Sequence, residues 1–236
     1  MILRSSLSSI VLSTSLLSSA HAGDWSYRVT PYLWLPGVET SLDVGSNPPV
    51  EGSTSILDIL DGAFLISGEA RSENWSILGE FNYLNLSDDF GVSSNDPVAG
   101  WDLRGTMVSL AAARRIADSS NFRLEALAGF RRWDVTAETF VLGKTASTDK
   151  EWIDPVIGAR ITAPISERAS FSGMANVGGF GVGSDRQWEV IAQAEFQTTK
   201  NLSLSAGYRI LEVSFKDSVL QDLHLSGPFL AVNISF

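Results

Sequence analysis

Apolar and polar residues alternate along most of this chain. In residues 188–196, WEVIAQAEF, every even position is apolar, and three of the four odd positions hold Glu189, Gln193 and Glu195. Successive side chains of a β-strand point to opposite faces of a sheet, so this pattern predicts a strand with one apolar face and one polar face.

The same period of two predicts about ten strands, within a range of about eight to twelve. The segment 102–116 is ambiguous, and the segment 169–182 is weaker and rich in glycine. The predicted strands cover residues 25–33, 64–71, 75–83, 102–116, 122–131, 153–162, 169–182, 188–196, 202–210 and 230–236.

The predicted connections differ in length at the two ends of these strands. Those at 36–62, 87–101 and 143–151 are longer than those at 72–74 and 117–121. Long loops at one end and short turns at the other are typical of an antiparallel up-and-down barrel that separates two compartments. Both chain termini are then expected at the short-turn end.

The polar faces of the strands carry charged residues but no lysine. Arginine is suited to fork-like pairing with carboxylates in a confined interior, whereas a soluble protein scatters lysine and glutamate over its solvated face. We therefore predict an ion-pair network in the lumen of a barrel. Its predicted members are Arg28, Glu69, Arg71, Glu80, Glu125, Arg131, Asp154, Arg160, Glu189, Glu195 and Arg209.

Aromatic residues near the predicted strand ends match the interfacial girdle of a membrane barrel. They are Trp25, Tyr27, Trp34, Trp75, Tyr83, Trp133, Trp152 and Trp188. The predicted fold class is therefore all-β, a transmembrane antiparallel up-and-down β-barrel. A soluble β-sandwich or a soluble periplasmic lipocalin-like barrel is the alternative, because it shows similar alternation.

The first 22 residues have the pattern of a secretory signal peptide. Arg4 precedes an apolar, serine-rich run, and Ala20-His21-Ala22 predicts cleavage after Ala22. The run is too short for a membrane-spanning helix. Residues 23–236 are then expected to form one barrel domain.

Composition narrows the classes of partner. The chain has no cysteine, so disulfides do not stabilise it. Without residues 1–22 it has 16 Lys plus Arg against 27 Asp plus Glu, a formal net charge of −11. That balance disfavours a nucleic-acid partner, and no spacing typical of a metal or cofactor site is found.

The C-terminal segment GPFLAVNISF alternates to a terminal aromatic residue. Together with TPYLWLPG and LSAGYRILEV, it resembles the Gram-negative outer-membrane β-barrel proteins of the small OmpA-like and OmpW-like group. The resemblance implies an outer-membrane location, contact with membrane lipid and lipopolysaccharide, and biogenesis through periplasmic chaperones and the barrel assembly machinery. It assigns the assembly signal to Leu230, Val232, Ile234 and Phe236.

A ten-stranded barrel filled by charged side chains predicts a packed polar network, or at most a narrow path. We therefore expect a non-enzymatic structural or surface component, or a narrow passive pore. The long first loop adds a candidate short helix within 53–62, which would either constrict the barrel mouth or pack on its rim.

One alternative is enzymatic. His224 and Ser226 share a strand face, and a hairpin near 217–218 would bring Glu212 close to them. A nucleophile, a base and an orienting acid form the arrangement that activates a hydroxyl. The pair resembles the His-x-Ser arrangement of outer-membrane lipid A deacylases, although in those enzymes the acid follows the serine. The alternative is therefore a membrane-embedded lipid A acyl-ester hydrolase.

Overall fold

All regular elements of the described chain are β-strands, as the period of two predicts. The computed structural model describes residues 25–42, 60–91, 97–141, 144–216 and 220–236. The signal peptide, its cleavage site and positions 53–59 of the candidate helix lie outside these residues. Within the described ranges, no helix is long and apolar enough to cross a membrane. The strands are β1 Ser26–Trp34, β2 Gly37–Leu42, β3 Leu60–Arg71, β4 Trp75–Gly91, β5 Pro97–Asp118, β6 Arg123–Val141, β7 Lys144–Pro164, β8 Ala169–Gly179, β9 Arg186–Gln197, β10 Leu202–Ser214 and β11 Leu220–Ser235.

These strands form one closed antiparallel sheet. Each strand from β3 to β11 pairs with the next in sequence, and β1 pairs with both β3 and β11. β1 and β2 together form one wall position, because both pair with β11 and only Leu35 and Pro36 separate them. The predicted ten-stranded up-and-down barrel is thus confirmed.

The closing seam joins the two ends of the barrel chain. The backbone N–H of Phe236 donates to Tyr27 O at 2.9 Å, and Tyr27 N–H donates to Phe236 O at 3.3 Å. Both residues lie at the end of the barrel that carries the turns 72–74 and 119–122. That end carries the short periplasmic turns in barrels of this kind, and we call it the short-turn end.

The strands are longer than predicted at the other end. β4, β5, β6 and β7 have 17, 22, 19 and 21 residues, whereas a tilted strand crosses a bilayer in about 9–11 residues. The predicted loop 87–101 was therefore too long, since β4 and β5 leave only 92–96 between them. The predicted loop 36–62 was likewise wrong at its ends, which belong to β2 and β3.

The outer face of the barrel carries an apolar band about as tall as a bilayer-crossing strand is long. On β6 the outward side chains run from Phe122, which is exposed just before the strand, to Phe130, and the next outward residue is Arg132. This interval of nine residues in the sequence matches a bilayer-crossing strand. The predicted lipid-facing residues Leu230, Val232, Ile234 and Phe236 are all exposed within the band.

Between the apolar band and the outer end, the inward positions become apolar and the outward positions become polar. On β10, Leu211 and Val213 are buried inside the barrel, while Glu212 between them points outward. For the same reason Trp34, Trp133 and Trp152 lie buried in the interior. Their assignment to an interfacial girdle was wrong, because beyond the membrane a barrel wall faces water and its apolar side turns inward.

Candidate functional site: the closed barrel interior

The interior nearest the short-turn end contains a cluster of ion pairs between three strands. Arg160 on β7 contacts both Glu69 on β3 and Glu125 on β6, each at 2.7 Å between Nη2 and a carboxylate oxygen. Arg71 contacts the same two carboxylates at 2.8 and 3.7 Å. The register explains one of these contacts, because Glu125 and Arg160 face each other across β6 and β7.

A second cluster fills the middle of the barrel. Arg209 Nε donates to Glu189 at 2.7 Å, and its Nη1 donates to Glu80 at 2.7 Å. Arg131 Nη2 donates to the other oxygen of Glu189 at 2.6 Å. The side chains of Arg209 and Glu189 are 2% and 0% exposed, so both charges depend on these partners.

The remaining predicted lumen residues take two different positions. Arg28 and Glu195 pair at 2.9 Å near the short-turn end, with side chains 37% and 19% exposed. Asp154 is buried but has no ion pair within 4.0 Å among the described residues; it accepts hydrogen bonds from Trp152 Nε1, Ser184 N and Ser184 Oγ. Asp154 therefore anchors the turn between β8 and β9 at the outer end of the barrel.

An apolar layer lies between the middle cluster and the outer end. Trp133 and Trp152 stack with ring centroids 5.4 Å apart, and Phe215 meets Trp152 edge to face at 5.0 Å. The Arg209 guanidinium lies 4.6 Å from the ring centroid of Trp34, which joins the two layers. The core of this layer contains Trp34, Leu65, Met107, Trp133, Val135, Trp152, Leu211, Val213, Phe215, Leu223 and Leu225.

Lys150 covers this layer from outside. Its ammonium lies 3.1 Å from the ring centroid of Phe215 and 5.7 Å from that of Trp152. Burial against these rings lowers the pKa of Lys150, and the nearby carboxylates of Asp185 and Asp154 oppose that shift. Lys150 therefore places a cation on the aromatic faces at the outer side of this layer.

Several interior residues were not named in the sequence-based network. Tyr32 donates to Glu80, Asn176 donates to Glu189 at 2.7 Å, and Ser76 donates to Glu125 at 3.1 Å. All three occupy inward positions of the same alternation. Their place in the period of two could therefore have predicted that they face the lumen. The register pairs Asn176 directly with Glu189, whereas Tyr32 and Ser76 meet carboxylates two wall positions away, which the alternation alone does not identify.

The predicted catalytic residues lie on the outer wall just above the apolar band. Glu212 on β10 is directly opposite His224 on β11, with Oε2 and Nδ1 3.8 Å apart. The other oxygen of Glu212 accepts from Arg186 at 3.0 Å. Ser226 lies two residues from His224 along β11, on the same outward face. No hydrogen bond joins the two side chains in the described structure. The acid and base are brought together, and the nucleophile is not.

A metal centre is not indicated in the described part of the chain. No group of three or more His, Cys, Asp or Glu side chains converges there. The carboxylates of the cluster nearest the short-turn end and of the middle cluster instead contact arginines.

Comparison with known proteins identifies the fold. The translocator domain of the autotransporter NalP from Neisseria meningitidis aligns with a TM-score of 0.52 and 15% identity, over 93% of this chain and 91% of its own. The outer membrane protease OmpT from Escherichia coli aligns with a TM-score of 0.50 and 11% identity, over 91% and 97%. Ail, the attachment invasion locus protein of Yersinia pestis, aligns with a TM-score of 0.44 and 14% identity, over 91% of this chain and 99% of its own.

The likenesses to the NalP translocator domain and to OmpT establish the class of fold and nothing finer. The chain has the fold of the Gram-negative outer-membrane β-barrels. Neither the protein-family models nor the curated proteins contain a match. The narrower likeness to the OmpA-like and OmpW-like group stays a prediction.

Proposed function

We propose that this chain is a non-conducting outer-membrane barrel with a structural or surface role. The observation that carries the proposal is the layered interior. Arg209, Glu80 and Glu189 bridge the middle of the lumen, and the Trp133–Trp152–Phe215 stack lies between them and the outer end. A hydrated ion would have to break buried ion pairs and then enter an apolar layer, and both steps are costly.

An outer-membrane location is part of this proposal. The apolar outer band, the fold and the predicted signal peptide support it. We further propose contact with lipid and lipopolysaccharide, and assembly through periplasmic chaperones and the barrel assembly machinery. In cell fractionation the protein is expected in the outer-membrane fraction, with a gel mobility that changes on heating. Recovery in a detergent-free periplasmic wash would support the soluble barrel instead.

The absence of conductance is directly measurable. Protein reconstituted into a planar bilayer is expected to show no steady unit current at any applied voltage, because among the described residues buried ion pairs and then an apolar layer lie across the lumen. The heat-modifiable band in the same preparation shows that the protein is folded, and its flotation with liposomes of the same lipid shows that it inserts. Reproducible unit currents from such a preparation would favour the narrow pore and contradict the proposal.

A second candidate function rests on the contact between Glu212 and His224. An acid facing a histidine above the apolar band is two-thirds of a hydrolytic triad at the height of lipid head groups. To complete it, the 3.8 Å separation of Glu212 and His224 must shorten to a hydrogen bond and the Ser226 side chain must turn toward His224. This candidate is a lipid A acyl-ester hydrolase with Ser226 as nucleophile, His224 as base and Glu212 as orienting acid.

Lipid A mass spectrometry tests this candidate. Cells overproducing the protein are expected to lose one acyl chain from lipid A if the triad forms, and Ser226→Ala is expected to restore the full mass. Ser147→Ala, an exposed serine on the outer part of β7, serves as the matched control. Unchanged lipid A in cells overproducing wild-type protein would exclude the hydrolase.

A further inference from the structure

A polar cavity of about 310 Å³ occupies the barrel interior on the short-turn side of the middle ion pairs. This volume is within the range of small-molecule pockets and equals that of about ten water molecules. Arg28 and Glu195 at its mouth are partly exposed, whereas Arg131 at its other end is 3% exposed. The cavity is therefore a cup that opens at the short-turn end and is closed toward the outer end.

One wall of the cup is a row of unused hydrogen-bonding side chains. Thr162, Ser172 and Gln193 lie side by side on β7, β8 and β9, because Thr162 pairs with Ser172 and Ser172 pairs with Gln193. Neighbouring strands are about 4.8 Å apart, so the row spans about 10 Å. Within the described structure, none of these three side chains makes a hydrogen bond to protein.

The closed end adds a donor and an acceptor without partners. Arg131 Nη1 and Asn176 Oδ1 are buried and have no hydrogen-bond partner among the described residues. Both residues line the cup. Neither atom has surface open to the cup, so the hydrogen bonds to a solute come from the Thr162–Ser172–Gln193 row.

The charge balance excludes an ion as the favoured occupant. Every charged residue that lines the cup already has an opposite partner: Arg28 with Glu195, Arg71 and Arg160 with Glu69, Arg131 with Glu189, and Glu80 with Arg209. A charged ligand would have to displace one of these partners, whereas a neutral ligand would use the free hydroxyl and amide groups. Leu78, Leu127 and Met174 supply apolar surface beside them.

We infer that this cup is a binding site for a small, uncharged, polyhydroxylated solute of monosaccharide size, which enters from the periplasmic side. Such a solute presents hydroxyl groups to the Thr162–Ser172–Gln193 row and its C–H face to the apolar side chains. Entry from the periplasmic side rests on the proposed outer-membrane location, whereas binding in the cup depends neither on that location nor on conductance.

Binding of defined sugars tests the inference. D-glucose and N-acetylglucosamine are titrated into the folded protein in detergent and followed by saturation-transfer NMR, and sodium phosphate is the charged comparison in the thiol-protection measurement. We expect saturable binding of at least one sugar, weakened at least about tenfold in the variant T162V/S172A/Q193L, because three hydrogen bonds are lost. Thr139→Val, at the opposite end of the barrel, is the matched control.

A thiol reporter covers the case in which the triple variant fails to fold. The chain has no cysteine, so Ser172→Cys introduces one thiol in the cup. We expect glucose to slow its reaction with a small methanethiosulfonate reagent, and to leave Thr139→Cys unaffected. No saturable sugar binding together with an unchanged rate would mean that the cup holds water only and would overturn the inference. Protection by phosphate but not by sugars would overturn it as well.

Discussion

Replacement of Arg209 by alanine is expected to lower the free energy of unfolding by about 3–5 kcal/mol. The substitution leaves Glu189 without its Arg209 contact and Glu80 without its ion-pair partner, in an interior where Glu189 is fully buried. A buried charge without its partner is among the most destabilising features known in proteins. Urea unfolding of the barrel in lipid vesicles measures the change.

Two further variants separate this cause from simple loss of packing. Arg186 pairs with Glu212 on the outer wall, where its side chain is 67% exposed, so Arg186→Ala is expected to cost only about 0–1 kcal/mol. In R209M/E80Q the unpaired charge of Glu80 is removed and Glu189 keeps its ion pair with Arg131, so most of the lost stability should return. If R209A costs no more than R186A, the middle ion pairs do not stabilise the barrel.

Replacement of Phe236 by serine is expected to lower the membrane-inserted fraction severalfold while export and signal cleavage continue. In the folded barrel the Phe236 side chain is 72% exposed, so it contributes little to internal packing. Its backbone hydrogen bonds to Tyr27 do not depend on the side chain. The expected defect therefore lies in assembly, where the resemblance to outer-membrane barrels assigns the terminal aromatic a recognition role. The heat-modifiable fraction in isolated outer membranes measures it.

Phe196 supplies a control for lipid contact. It is exposed on β9 near the same short-turn end, so Phe196→Ser removes a similar apolar surface from the band without touching the C-terminus. An assembly defect in F236S that is absent from F196S would support the signal. Equal defects would show that both residues act only as lipid-facing surface, and normal assembly of F236S would remove the proposed role.

The alternation of polar and apolar residues alone predicted which side chains of the candidate site face the lumen. Arg160 and Glu125 were predicted to face the lumen because they alternate with Ala159 and Leu124, and the register then brings them together. Contacts between distant wall positions were not accessible. Arg209 on β10 meets Glu80 on β4 across the lumen, and that contact requires the closure of the barrel as well as its alternation.

The apolar layer shows the opposite case. Its tryptophans were predicted to lie on the outer face of the barrel, but they lie in the interior. Trp133 and Trp152 follow the same period as the rest of their strands, but they lie above the membrane band and point inward. The sequence around them does not state where the membrane ends. An aromatic residue near a strand end therefore fits a girdle and an interior core equally well until the strand lengths are known.

By itself the sequence predicted ten strands, their up-and-down order and an apolar outward face, because period-two alternation, turn positions and a terminal apolar stripe are local properties of the chain. Only the tertiary structure decided that the interior is closed. It did so by extending β4 to β7 beyond the band and by bringing residues from opposite walls into layers. The physical reason is that contacts such as Arg209–Glu80 form between strands that are not neighbours in the wall, and such partners are fixed by the circumference and register of the closed sheet.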